Sequence, residues 1–303
     1  NPVFIPGPTN IPDSVRKACD MGTLDHRSPA FARLFKPAVE GVRRVLRMTE
    51  GEVILIPSTG TGGWEAAITN TLSPGDTVLA ARFGMFSHRW IDLCQRHKLD
   101  VEIIETPWGQ GAPLAAIEKA LRADKGHHIK AVLATHNETA TGVKSDIAGI
   151  RAALDAAGHP ALLFVDGVSS IASMPFDFAG WGVDIAVAGS QKGFMLPAGL
   201  AILGVSPKAI AAMETARLPR TFFDFKDMLT SYARGGYPYP PAVGLIAGLA
   251  HSIDLLEAEG LENVYARHHR LAEGVRRAVL AWRMTPNAAS PELYSHTLTA
   301  PSW

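Results

Sequence analysis

The stretch "IKAVLATHNETATGVKSDIAGIRAALDAAGHPALLFVDG", residues 129–167, decides the fold. Its first seven residues, 129–135, are an apolar run of strand length. Residues 146–157 have the character of a helix, and "ALLFVDG" (161–167) is a second apolar strand. Two such strands joined by a helix are the repeating unit of an α/β domain with a mostly parallel sheet. The unbroken apolar run "ALLFV" is what a sheet covered on both faces requires.

The same alternation continues on both sides. Strands are expected at 52–57, 76–81 and 100–105, with helices at 62–72, 88–97 and 112–124 between and after them. Further strands are expected at 183–189 and 200–205. Beyond residue 206 the pattern turns helical, with long helices over 240–260 and 261–282, the first stopped by Gly260. "ELYSHTLTA" (292–300) then looks like the opening strand of another unit. The expected organisation is an N-terminal segment over 1–20, a large α/β domain over 21–260 and the start of an incomplete small C-terminal α+β domain over 261–303.

Composition narrows the function classes. The 303 residues are 47% hydrophobic and 19% charged, enough for a large core. A formal net charge of zero gives no reason to expect nucleic acid or an anionic membrane surface as partner. No apolar run reaches membrane-spanning length, and the N-terminus lacks the pattern of a secretion signal. Two cysteines without metal-type spacing fit a reducing compartment, so a cytoplasmic location is expected. The adjacent histidine pairs at 127–128 and 268–269 lack the i,i+4 spacing of a helical metal site, and no G-x-S-x-G elbow points to a hydrolase.

In an open α/β sheet, ligands bind beyond the carboxyl ends of the strands. Three features lie there. "PSTGTGGWE" (57–65) puts small residues and glycines between a strand and a helix, which suits either a phosphate or a tight structural turn. Asp166 ends an apolar strand, where it serves as a helix cap, an ion-pair partner or a functional carboxylate. Lys192, in "AGSQKGF", either snorkels to the surface or is a buried amine that must pair, lose its proton or be modified. Together, a lysine able to form a Schiff base, a carboxylate for a pyridine nitrogen and a phosphate-holding helix start are the parts needed for pyridoxal 5′-phosphate.

Those features in that order, with "FIPGPTNIP", "DHRSPAF", "STGTGGWEAAITNTLSPGD", "THNETATGV", "FVDGVSS", "AGSQKGFMLPAGL" and "EGLENVYARHH", make the chain resemble the class V (fold type I) aminotransferases. Within them it is most similar to the serine/alanine/aspartate–glyoxylate group. The resemblance implies a three-layer fold type I domain and a homodimer with shared active sites. It implies transamination from L-aspartate or L-serine to glyoxylate, with an amino acid and an oxo acid as the small-molecule partners. By the same resemblance Lys192 would carry the cofactor and shuttle the proton, and Asp166 would bind the ring nitrogen. Val168 and Phe86 would bracket the ring, and Thr139 would meet its phenolic oxygen. Thr59, Gly60, Thr61 and Gln191 would hold the phosphate, joined by Tyr237 from the partner subunit. Pro6, Gly7 and Pro8, with His26 and Arg27, would lie near the substrate.

Two departures from the family pattern stand out. Where the family has "YPYTPP", Pro240 replaces a threonine hydroxyl, a loss on the order of one hydrogen bond, about 1 kcal/mol. The sequence also ends at Trp303, ahead of the arginine that in this family clamps the substrate carboxylate, so weak or absent turnover is expected of this chain alone. The alternatives are an alanine–glyoxylate aminotransferase, a desulfurase-like lyase, or a chain that binds cofactor without turnover. A lyase of that kind needs a reactive cysteine, whereas Cys19 and Cys94 sit in helix-like contexts.

Overall fold

The computed structural model describes residue 5, residues 7–22 and residues 24–302. Two helices come first, α1 (Asp13–Cys19) and α2 (Pro29–Leu46). The chain then alternates β1 (Glu52–Ile56), α3 (Gly60–Thr71), β2 (Thr77–Arg82), α4 (Met85–Arg96), β3 (Asp100–Glu105), α5 (Leu114–Ala123) and β4 (Ile129–Thr135). A short hairpin, β5 (Asn137–Glu138) with β6 (Val143–Lys144), precedes α6 (Ile147–Ala157), β7 (Leu162–Asp166), β8 (Ile185–Gly189) and β9 (Ala201–Val205). Helices α7 (Pro207–Ala212), α8 (Phe225–Tyr232), α9 (Val243–Glu259) and α10 (Leu261–Ala281) follow. Near the end, β10 (Thr285–Pro286) pairs antiparallel with β11 (Pro301–Ser302).

Seven strands form one sheet in the order β1-β9-β8-β7-β4-β2-β3. From β8 to β3 every pairing is parallel, and β9 runs antiparallel to both its neighbours. Strand β1 therefore points the same way as β8, and the carboxyl ends of β1, β2, β4, β7 and β8 share one edge of the sheet. The mostly parallel α/β sheet read from the 129–167 stretch is the one observed.

Alternate strand residues feed two cores. Leu163 and Val165 join the larger one, with Phe31 and Phe35 of α2 and Leu249 and Ile253 of α9. Leu162 and Phe164 join the other, with Trp64 of α3, Trp90 of α4 and Phe225 of α8. Helix α3 lies close on the sheet because it starts with glycines: a Cβ on Gly63 would meet Val187 Cγ1 at 2.6 Å. Helix α6 begins where the Asp146 carboxylate accepts the Gly149 N–H at 2.8 Å, and ends at Gly158, whose φ of 61° suits glycine.

One expectation is corrected. Residues 292–300 do not open a new sheet. They hold the end of a 3₁₀ turn (Pro291–Leu293), a single bridge from Tyr294 to Val143 and an irregular run. Their polar groups are engaged by the large domain instead: the Ser295 N–H donates to Gly142 O at 3.0 Å, and Thr297 Oγ1 donates to Ser169 O at 3.0 Å.

Candidate active site

The shared edge of the sheet holds a cavity of about 150 Å³. Strands β1, β2, β4, β7 and β8 each supply part of the wall at their end or a few residues past it. Thr59, Gly60 and Thr61 follow β1, Phe86 follows β2, and Thr139 follows β4. Asp166 closes β7 and is followed by Val168, while Gln191 and Lys192 follow β8. Nine of the residues singled out in the sequence thus meet around one space. Trp64 and Ser169, which were not singled out, complete the wall.

Helix α3 begins without a side-chain cap, and its first bond into the helix is Gly63 N–H to Thr59 O at 3.0 Å. Its leading N–H groups and the positive end of its dipole therefore face the cavity, as an anion requires. Gly60 is needed there, because a Cβ would come within 2.5 Å of Val168 Cγ2. Two polar atoms at this wall, Trp64 Nε1 and Gln191 Oε1, are buried with no hydrogen-bond partner among the described residues.

Asp166 is 5% exposed, and burial pushes its pKa up to about 7. The Glu138 charge pushes the same way; the Val168 N–H, which it accepts at 2.9 Å, the Trp64 indole and the Lys192 ammonium oppose. The indole N–H is near enough to favour the carboxylate but outside hydrogen-bond geometry. Lys192 shifts down, chiefly through burial and against the pull of Asp166. An amine so placed is more often neutral, hence more nucleophilic, than one in water.

A second cavity, of about 310 Å³, adjoins the first, and Thr139, Ser169 and Lys192 belong to both walls. Its far side is built by Gly7 and Pro8 from the N-terminal segment, by His268 of α10 and by Thr297 and Leu298. Asn137 Nδ2 donates to Thr297 Oγ1 at 3.0 Å, fixing that late segment to the floor. Neither His268 nor Thr297 was legible, because both reach the site from chain regions far from the strand ends.

Two expected site residues, His26 and Arg27, lie outside both cavities, and Tyr237, expected at the partner subunit's phosphate, lies elsewhere in this chain. The Arg27 N–H is held by Asp25 Oδ1 at 2.9 Å in an exposed turn. Tyr237 is buried against Phe35 and Tyr232, and its hydroxyl donates to Leu55 O. Pro6 lies outside the described residues.

Fold and cavity together define an α/β enzyme with a half-buried lysine and a buried carboxylate beside an anion-holding helix start. A sequence model of the family described as "Aminotransferase class-V" matches residues 14–295, and the chain belongs to that family. It is 70% identical over 300 residues to the L-aspartate–glyoxylate aminotransferase of Paracoccus denitrificans, covering 99% of this chain and 76% of the relative. It is 53% identical over 300 residues to the serine–glyoxylate aminotransferase of Hyphomicrobium methylovorum, covering 98% and 74%. The crystal structure of pyridoxamine-pyruvate aminotransferase from Mesorhizobium loti superposes with a TM-score of 0.92 at 30% identity, over 100% of this chain and 77% of that one.

Proposed function

We propose that the chain is a pyridoxal 5′-phosphate-dependent aminotransferase. It moves the amino group of L-aspartate or L-serine to glyoxylate, giving glycine and the donor's oxo acid. The observation that carries this is the position of Lys192, on the wall common to two adjoining cavities. The smaller one has the donor set for the cofactor, and the larger has room for an amino acid. The donor and acceptor come from the names of the relatives.

The residues present fit the cofactor. The uncapped start of α3 suits a phosphate, and the unpartnered Trp64 N–H and the Asp166 carboxylate suit the polar edge of a ring. When bound, the cofactor supplies an electron-poor ring that takes up the electron pair left as the substrate's Cα loses its proton. Lys192 Nζ would hold it covalently and, once freed by the incoming amine, take the Cα proton, a task its lowered pKa suits. Asp166 would hold a proton on the ring nitrogen, where the added positive charge keeps the carboxylate ionised. Phe86 and Val168 would bracket the ring. The Thr139 hydroxyl, fixed by Ser169 Oγ at 3.0 Å, would meet the phenolic oxygen. Gly7, Pro8 and Thr297 would keep water from the substrate side.

A homodimer in a cytoplasmic setting, with Tyr237 reaching the partner's phosphate, belongs to the same proposal. That last role requires the Tyr237 hydroxyl to leave Leu55 O. The desulfurase-like reading loses ground, because burial raises the pKa of both thiols, that of Cys94 to about 12. Borohydride reduction of the cofactor-loaded protein, followed by peptide mapping, tests the proposal. A pyridoxyl adduct on Lys192 is expected; an adduct elsewhere, or none, overturns it.

A further inference from the structure

We infer that Glu138 is a positioning residue for the proposed reaction. Its carboxylate ties the first turn of α4, which carries Phe86, to the hairpin loop that carries Thr139, so that both residues are held at fixed places on the cavity wall. This rests on the cofactor reading above.

Glu138 is fully buried. A carboxylate in that position is costly unless its lone pairs are met. No cation forms an ion pair with it among the described residues; backbone groups meet it instead. Oε2 accepts the N–H of Ser87 at 2.9 Å and of Phe86 at 3.1 Å. Oε1 accepts the N–H of Ala140 at 3.1 Å and a longer share of Phe86 at 3.2 Å. The negative charge also sits at the positive end of α4. Gly84 allows the approach, since a Cβ there would come within 2.3 Å of Glu138 Cδ.

The N-cap of α4 is Gly84, which has no side chain to meet the N–H groups of Phe86 and Ser87; Ser87 Oγ turns back only to accept the Gly84 N–H at 3.1 Å. Glu138 adds a cap from 52 positions away in sequence, on the loop beside Thr139. A serine or aspartate at the N-cap itself would meet those groups, so helix stability alone does not need that reach. Joining the ring-stacking residue to the residue at the ring's polar edge does. The same charge acts on Asp166, across the cavity from Phe86 and Thr139.

Glu138→Gln keeps the shape and turns one acceptor oxygen into a donor that faces an N–H. The dissociation constant for pyridoxal phosphate is expected to rise about tenfold. The visible circular dichroism of the bound cofactor, which reports ring orientation, is expected to change. In a Phe86→Leu background the added effect of Glu138→Gln is expected to shrink to about threefold or less, because the two act through one contact. Wild-type affinity and spectrum in Glu138→Gln, or full additivity with Phe86→Leu, overturns the inference. If the variant does not fold, amide exchange of the cofactor-free wild type carries the test: Phe86 and Ser87 are expected to exchange as slowly as β2, and fast exchange overturns the inference. Failure of the wild type to bind cofactor at all would strike the functional proposal instead.

Discussion

With its pKa held near 7 by burial, Asp166 keeps a proton in the folded chain over a pH range, from about 4 to 7, where the unfolded chain has lost it. Native Asp166 therefore binds more protons than unfolded Asp166 there. Its contribution is fully favourable below pH 4 and is lost as pH rises through 7. Asp166→Asn removes the titration and keeps the shape. The cofactor-free variant is expected to gain on the wild type by roughly 3 kcal/mol between pH 5 and pH 8, as an upper value. Buried His136, at about 3, gives the opposite slope below pH 6.5, but it is present in both proteins and cancels in the difference. Denaturant titrations at the two pH values check this, and parallel curves would refute it. Asp166 and Lys192 were legible because each is a polar residue where an apolar strand ends. Glu138 and Thr297 were not, because their meaning lies in partners 52 and 160 positions away.

The seven strands of the main sheet were legible to within a residue or two, since a mostly apolar run of five to seven residues has few other places to go, whereas the two-residue strands β5, β6, β10 and β11 carry no such run. Helix α2 was not read as a helix, although Phe31, Phe35, Ala38, Val42 and Val45 form its buried stripe; Pro37 interrupts the pattern. Residues 292–300 alternate like a strand, yet their side chains are spent on Ser169 and Asn137, which no local pattern records. At α3 the glycines settle how near helix and sheet approach. Gly63→Ala must push Cβ against Val187 Cγ1, a β-branched side chain locked between strands. The expected loss is roughly 1–3 kcal/mol from overpacking, less up to about 1 kcal/mol of gained helix propensity. Thermal unfolding measures it, and a melting temperature above that of the wild type would show the interface gives way.

The larger cavity draws its walls from the whole length of the chain. Gly7 to Asn10 come from the start, Asn137 to Ser173 and Lys192 from the sheet edge, and His268, Thr297 and Leu298 from the end. The start is held by Thr9 N–H to Gln191 O at 3.0 Å, and the end by Thr297 on Asn137 and Ser169. The late segment is also tied by the Ser295 N–H to Gly142 O and by Arg276 Nη1 to Ser295 O, each at 3.0 Å. In the cofactor-loaded protein Lys192 would be taken up by the cofactor, and burial lowers the pKa of His268, so this wall offers a carboxylate ligand hydrogen-bonding groups between the sheet edge and the late segment rather than a fixed cation. Succinate keeps both carboxylates of aspartate and lacks the reacting amine. At about 100 times its dissociation constant it should stabilise the cofactor-loaded protein by about 2.7 kcal/mol. Hydrogen exchange should then slow in residues 7–10 and 295–298 together, while α5, on the far side of the large core, stays unchanged. Protection of one segment without the other would mean that the two do not enclose a common ligand, and the substrate would have to be placed elsewhere.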